Sequence, residues 1–167
     1  MKSDTTKSFN TLINPIDEVE DILFAYGLDF QRKDNDEIYL NYRGIWNNYE
    51  MSFKWIKNYD LVRINNNLSI SVPKNMIPGI QSMISMVNEG LTLGYFGYSS
   101  NKNCIYFRHN ILLRGGLNFC TEQVEEFFDL MVSECDKYYP AYQIYIQKIN
   151  NPSFALKTAL LETIGEA

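Results

Sequence analysis

The residues best suited to chemistry lie in one short stretch, Ile105–Gly116, with the sequence IYFRHNILLRGG. Its alternation of apolar and polar residues predicts a β-strand, in which successive side chains point to opposite sides. His109, the only histidine of the chain, then points to the same side as the apolar Phe107. We therefore expect a structural role for His109, because no second histidine is present to form a metal site or a relay with it.

Two arginines, Arg108 and Arg114, point to the other side of this predicted strand. A guanidinium group offers a planar pair of donors that suits a carboxylate or phosphate, so an anion site is one interpretation. Arg63, Asn65 and Asn67 would join this site if the strand that carries them is a neighbour. The simpler interpretation is a solvated sheet face beside a hydrogen-bonded core histidine.

Two weaker candidates precede the third predicted helix. The segment Arg114-Gly115-Gly116 could offer free N–H groups to an anion, as helix N-termini do, but it lacks the spacing of phosphate-binding glycine loops. Cys120 could be a nucleophile activated by the helix N-terminus, with His109 as its base. An ordinary reduced cysteine is the simpler interpretation. We therefore predict no catalytic residue, no cofactor and no metal.

The composition is that of an ordinary soluble domain, with 46% hydrophobic and 21% charged residues among 167. The net charge of −5 argues against a nucleic acid partner, because the sequence has no run of Lys and Arg to bind phosphates. The first residues lack the apolar run of a secretory signal, and no segment approaches the length of a membrane span, so we expect neither. The three cysteines, Cys104, Cys120 and Cys135, lack CxxC spacing, which is typical of reduced thiols in the cytoplasm.

The periodicities predict one α+β domain over residues 14–167, preceded by a loose polar arm over residues 1–13. Asn14-Pro15 opens the first helix and Gly27 closes it. A four-stranded β-meander, a second helix from about Asn75 to Gly90, a β-hairpin and two final helices follow. The order is therefore α-β-β-β-β-α-β-β-α-α, with an antiparallel sheet that helices cover on one side.

These patterns lead to specific predictions for Asn66, Pro140 and Asp136. Asn66 interrupts the apolar alternation of the fourth strand, which is consistent with a β-bulge there. Pro140 is expected to kink or break the third helix, and residues 141–148 beyond it are predicted to be helical. Asp136 is assigned to the outer, solvated side of the third helix.

Three methionines of the second helix, Met76, Met83 and Met86, widen its apolar arc beyond one buried face. Methionine adapts to varied partners, so these side chains could form a dimer or client-binding surface. The alternative is a core helix in which methionine fills gaps.

Several short segments occur together in a specific order and spacing: Asn14-Pro15, Arg43-Gly44-Ile45-Trp46 with Tyr49, Phe107-Arg108-His109, Leu112-Leu113-Arg114-Gly115-Gly116, Glu134-Cys135 with Tyr139-Pro140, and the tail from Ala159 to Ala167. In these segments the chain resembles the YbjN-like family of small bacterial proteins, mainly its alphaproteobacterial branch. The resemblance covers roughly residues 14–167.

The resemblance implies a fold similar to that of type III secretion chaperones, which are compact α+β domains that commonly dimerise and bind partner polypeptides. Members are labelled sensory-transduction regulators, and no enzymatic activity is implied. We therefore predict a non-enzymatic, cytoplasmic, chaperone-like or regulatory domain that binds an unidentified protein as a homodimer, without nucleic acid or membrane. The alternative is a sensor or enzyme for a small anionic ligand that uses the Arg-bearing sheet face, if helical segments cover that face to make a pocket.

Overall fold

The structure, a computed structural model, describes residues 14–113, 121–148 and 151–164. Its helices are α1 (Pro15–Ala25), α2 (Ile77–Glu89), α3 (Thr121–Gln147) and α4 (Pro152–Ile164). Its strands are β1 (Phe30–Asp34), β2 (Glu37–Arg43), β3 (Asn48–Ile56), β4 (Leu61–Ser71), β5 (Tyr95–Ser99) and β6 (Cys104–Leu112). Short 3-10 turns, Lys57–Tyr59 and Lys74–Met76, follow β3 and β4.

The strands form one antiparallel sheet with the spatial order β1-β2-β3-β4-β6-β5. The meander β1 to β4 and the hairpin β5–β6 are joined because β6, not β5, pairs with β4. The predicted α+β class and the predicted order of helices and strands are confirmed. The strand β6 therefore lies next to β4, which is the neighbour relation on which the Arg63 prediction depends.

Helix α1 begins as its sequence predicts. The Asn14 side-chain oxygen accepts a hydrogen bond from the backbone N–H of Ile16 at 3.0 Å, and Pro15 occupies the first helical position, where its missing N–H costs nothing. Gly27 adopts φ +65° just after the helix, a left-handed conformation that glycine accepts readily. The helix then lies against β2 and β3.

The helices pack on one side of the sheet, where α1 contacts β2 and β3, α2 contacts β5, and α3 contacts β4 and β6. The apolar positions of the strands point to that side and form the core together with the inner faces of the helices. The fully buried large side chains of this core include Ile16, Leu23, Ile38, Tyr49, Met51, Phe53, Ile64, Leu68, Ile80, Phe96, Phe107 and Tyr142.

The predicted bulge at Asn66 is wrong. Asn66 is fully buried and pairs regularly with Met51 on one side and Phe107 on the other. Its side-chain amide donates to the Cys135 sulfur at 3.2 Å, so a polar residue occupies a core position because α3 supplies a partner. The irregularity of β4 comes later, between Asn67 and Ser71.

Pro140 does not break α3, which is helical from Thr121 to Gln147. The helical state of residues 141–147 agrees with the prediction. A proline within a helix removes one backbone hydrogen bond, but tertiary packing can offset that loss. Here Tyr139, Ala141 and Tyr142 are all buried on either side of the proline, so the core holds the helix continuous.

Candidate functional site

The sheet has a second side, which none of the helices in the described ranges covers. We call this side the open face. It contains a shallow depression of about 340 Å³ lined by Glu37, Tyr39, Ser52, Lys54, Arg63, Asn65, Asn67, Ser99, Asn101, Lys102, Tyr106 and Arg108. The arginine-bearing surface predicted from the sequence is therefore an open surface in the described part of the chain, not a pocket roofed by α3 or α4.

Strand register arranges the open face in rows that run across the sheet. Cross-strand partners lie directly opposite each other, so their side chains are neighbours. In the order β2, β3, β4, β6, the three polar rows are Glu37, Lys54, Arg63 and Asn110; Tyr39, Ser52, Asn65 and Arg108; and Asn41, Glu50, Asn67 and Tyr106. We call the first of these the basic row.

Both acidic side chains among these rows already have cationic partners. The Glu37 carboxylate accepts hydrogen bonds from Tyr39 Oη at 2.6 Å and Lys54 Nζ at 3.0 Å, and lies 3.5 Å from Lys33 Nζ. Burial alone would raise the pKa of Glu37, but the hydrogen bonds from Tyr39 and Lys54 outweigh it and lower that pKa. Glu37 is therefore ionised and largely neutralised within the face.

Glu50 is paired in the same way. Its Oε1 lies 3.3 Å from Lys102 Nζ and accepts a hydrogen bond from the Asn67 side chain at 2.9 Å. The Asn67 carboxamide oxygen in turn accepts from Asn65 at 3.0 Å. A network of amides thus links the acidic corner of the face to its centre.

Arg63 and Arg108 differ from these groups. Arg63 Nε donates to Asn110 Oδ1 at 2.9 Å, and Arg108 Nε donates to Asn65 Oδ1 at 3.1 Å. Neither guanidinium has a carboxylate partner among the described residues. Each arginine is oriented by an amide and keeps its full positive charge, with terminal N–H groups that can bind an anion.

Tyr106 of β6 contacts both Arg108 of the same strand and the edge strand β5. The Arg108 guanidinium carbon is 4.4 Å from the Tyr106 ring centroid, a cation–π contact. The ring lies over Gly97, where a Cβ atom would be only 2.4 Å from it. Glycine at this position of β5 therefore allows the Tyr106 ring to lie close to the sheet and support Arg108.

An apolar row borders the basic row. Ile56, Leu61 and Leu112 pair across β3, β4 and β6, two residues beyond Lys54, Arg63 and Asn110, which is about 7 Å along the strands. Leu112 is 61% exposed. The open face thus combines cations with an exposed apolar edge.

His109 lies on the opposite side of the sheet, as the strand alternation predicts. Its ring stacks on Phe127 of α3 with centroids 4.7 Å apart, and burial lowers its pKa. The structure therefore separates His109 from Arg63 and Arg108. Arg114, Gly115, Gly116 and Cys120 lie outside the described residues.

The three methionines do not share one exposed surface. Met83 is fully buried, which fits the alternative that methionine fills a gap in the core. Met76 and Met86 are half-buried and pack against the same core. A partner-binding role for these two residues stays a prediction.

The third helix contains a buried carboxylate that its sequence pattern does not indicate. The prediction that Asp136 lies on the outer side of α3 is wrong, because the residue is only 9% exposed and faces the turn between β2 and β3. Its carboxylate accepts from the Ile45 backbone N–H at 3.1 Å and from Tyr49 Oη at 2.5 Å, and its carbonyl oxygen accepts from Trp46 Nε1 at 3.0 Å. Burial and the bond to Asp136 raise the pKa of Tyr49, so its hydroxyl stays a donor.

These four residues form what we call the Asp136 cluster. Gly44 belongs beside it, because a Cβ there would lie 2.2 Å from the Tyr49 ring and 2.7 Å from an Asp136 carboxylate oxygen. The sequence did contain a signal for the cluster, since Gly44, Ile45 and Trp46 form one of the matching family segments. The helical periodicity of α3, taken alone, predicts that Asp136 is exposed to solvent.

The described residues show no arrangement typical of a metal site or of a membrane span. No group of three or more His, Cys, Asp or Glu side chains is placed there to hold a metal ion. Within the same ranges, no helix is long and apolar enough to cross a membrane.

Comparison with known proteins supports the resemblance noted above. A search of the curated proteins finds no match. Among solved structures, the chain is similar to the crystal structure of YbjN from E. coli, described as "a putative transcription regulator", with a TM-score of 0.55 and 12% identity over 77% of this chain and 93% of that one. At this identity the likeness concerns the fold. The model of the YbjN family, "Putative bacterial sensory transduction regulator", matches residues 15–143, and the chain therefore belongs to the YbjN family.

Proposed function

We propose that this domain is a non-catalytic, chaperone-like regulatory protein that acts by binding another polypeptide on its open face. One observation carries the proposal. Arg63 and Arg108 are held in place by amides and have no carboxylate partner among the described residues, and the row of Arg63 borders the apolar row that ends in exposed Leu112. Protein interfaces are enriched in arginine and combine apolar contact with polar groups, as this face does.

The state of the reactive side chains supports binding over catalysis. His109 is desolvated against Phe127, which favours its neutral form. Burial raises the pKa of both described cysteine thiols, Cys104 and Cys135, and so disfavours the nucleophilic thiolate. Each of these groups is better suited to the core than to chemistry.

Native mass spectrometry of the tagged protein, recovered gently from its own cells, tests this function. We expect a stoichiometric second polypeptide with the wild type, and its loss with R63E/R108E. The matched control is K148E/K157E, which makes the same change in charge at exposed lysines of the helical layer. Partner recovery that is equal in the two variants would contradict binding on the open face.

The predicted homodimer is part of this proposal. Half-buried Met76, just before α2, and Met86 on α2 offer adaptable apolar surface for a second copy. Sedimentation velocity of the purified protein is expected to give twice the chain mass of 19.5 kDa. A monomeric mass at micromolar concentration would contradict the proposed homodimer. It would not affect the proposal that a partner binds on the open face.

A small anionic ligand is the second candidate, because the depression of about 340 Å³ contains both arginines. Its volume falls within the range of small-molecule sites. The same native spectra distinguish it. In that case the wild type would carry a small extra mass and no polypeptide partner, and R63E/R108E would lack this extra mass. Such a result would favour a ligand-sensing role.

A further inference from the structure

We infer that the partner segment is an acidic, extended polypeptide that places carboxylates on Arg63 and Arg108 and an apolar side chain on the row Ile56, Leu61 and Leu112. This inference rests on the proposed function and adds the chemistry of the partner. It comes from the distribution of charge, from the pairing of each charged group, and from the position of the apolar row.

Charge on this protein is strongly segregated. The depression on the open face, together with the adjoining Lys33 and Glu50, has five basic side chains, Lys33, Lys54, Arg63, Lys102 and Arg108, and two acidic ones, Glu37 and Glu50. It therefore carries three net positive charges in a chain whose total is −5, so the remainder carries eight net negative charges. An acidic partner is attracted to the open face and repelled by the rest of the surface. This distribution of charge favours binding at the open face and steers the partner toward it.

Within the face, the pairing of charges leaves the arginines for the partner. Lys33 and Lys54 contact Glu37, and Lys102 contacts Glu50. The contrast with Arg32 is informative. Arg32 points to the helical side, where Asp17 at 2.7 Å and Glu20 both pair with it. The charge of Arg32 is therefore neutralised by two carboxylates of α1. Arg63 and Arg108, in contrast, are hydrogen-bonded only to side-chain amide oxygens.

The apolar row indicates a polypeptide and not a nucleic acid. A phosphate backbone would gain nothing from Leu112 and its neighbours, and it would meet the carboxylates of Glu37 and Glu50 on the same face. A peptide with acidic and apolar residues satisfies both rows. Because the two rows are only about 7 Å apart, side chains of one extended segment that lies between them can contact both rows.

The size of the sheet sets the length of the segment. Five intervals of about 4.8 Å make the six strands about 24 Å wide, which an extended chain of about eight residues spans. A segment of this length can cross the sheet and contact both arginines, which lie on neighbouring strands and adjacent rows.

A displayed library of random eight-residue segments tests the inference, with selection on the purified full chain. We expect the selected segments to be enriched in Asp and Glu flanking an apolar residue. Their affinity, measured by fluorescence anisotropy, should fall at least about tenfold in R63E/R108E, equivalent to about 1.4 kcal/mol, and by less than about twofold in K148E/K157E. Leu112→Ser should reduce affinity for the same segments while their electrostatic attraction persists.

Several results would overturn the inference. Selected segments without acidic enrichment, or equal affinity for R63E/R108E and the wild type, would do so. A labelled single-stranded oligonucleotide that binds more tightly than the selected segments would assign the face to nucleic acid. If R63E/R108E loses its cellular partner while the selected segments are not acidic, the proposed function survives and the partner chemistry is wrong. Should R63E/R108E not fold, R63Q/R108Q replaces it.

Discussion

Asp136 connects two parts of the chain that are 91 residues apart, the β2–β3 turn and α3. Its carboxylate is buried, and it accepts hydrogen bonds from a backbone amide and a phenol. Charged acceptors form stronger hydrogen bonds than neutral ones, and an unpaired buried donor is costly. The family segment around Gly44 is therefore explained by structure, because it places the turn against this carboxylate.

We expect Asp136→Asn to lower the free energy of unfolding by about 2–3 kcal/mol, because the amide weakens both hydrogen bonds and adds a donor that faces other donors. Urea denaturation at neutral pH measures this change. The control is Asp129→Asn, an exposed position of the same helix, for which about 0.5 kcal/mol or less is expected. Similar small effects at both positions would show that the Asp136 cluster does not stabilise the fold.

His109 should make stability depend on pH. Burial against Phe127 lowers its pKa from the ordinary 6.5, so the unfolded chain binds the proton more readily than the folded one. Stability from this group is complete above pH 6.5 and is lost as the pH falls from there toward the folded-state pKa. Unfolding at a series of pH values should show this loss in the wild type and not in His109→Gln. An unchanged slope in the variant would contradict the assignment.

At the scale of elements, α2 is an integral part of the core. Met83 is fully buried next to Ile80 and Ile84, whereas Gln81 of the same helix is exposed. The helix lies against β5 and α4. Its contribution to the fold is therefore distinct from any partner surface formed by the half-buried Met76 and Met86.

Met83→Ala is expected to lower the free energy of unfolding by about 2–4 kcal/mol, through lost burial and the cavity that remains. Gln81→Ala should change it by about 0.5 kcal/mol or less. Chemical denaturation of the two variants compares them directly. A small effect of Met83→Ala would mean that the helix is not packed as described.

Residue patterns were sufficient to predict the strand order along the chain, the cap at Asn14 and the separation of His109 from Arg108, because each depends on local spacing. They were insufficient where contact with a residue distant in the sequence determines whether a side chain is buried. Asn66 looks like an interruption until Cys135 is placed beside it, and Asp136 looks solvated until the β2–β3 turn reaches it. Pro140 looked like a kink or a break, but buried neighbours on both sides hold the helix.

The candidate site was only partly predictable for the same reason. Arg63 and Arg108 share a face because β6 pairs with β4, and that pairing could be stated from the sequence only as a condition. The uncovered state of the face depends on where α3 and α4 pack, which periodicity does not reveal. The apolar row crosses three strands, so no single segment of sequence displays it.

For the molecule as a whole, segregated charge predicts a partner whose binding weakens with salt. Raising the ionic strength from about 0.1 M to about 1 M shortens the screening length from about 10 Å to about 3 Å. We expect the co-purified partner to dissociate across this range from the wild type. Recovery that is independent of salt would indicate that the arginines do not contribute to binding.

Lysine footprinting of the partner-bound wild type tests the central claim most directly, because it maps the interface without substitutions. Lys54 and Lys102 lie on the open face and are 44% and 59% exposed, and Lys148 and Lys157 are exposed on the helical layer. If the partner binds on the open face, acetylation of Lys54 and Lys102 falls in the complex while that of Lys148 and Lys157 is unchanged. Protection of Lys148 and Lys157 with full labelling of Lys54 and Lys102 would contradict the account.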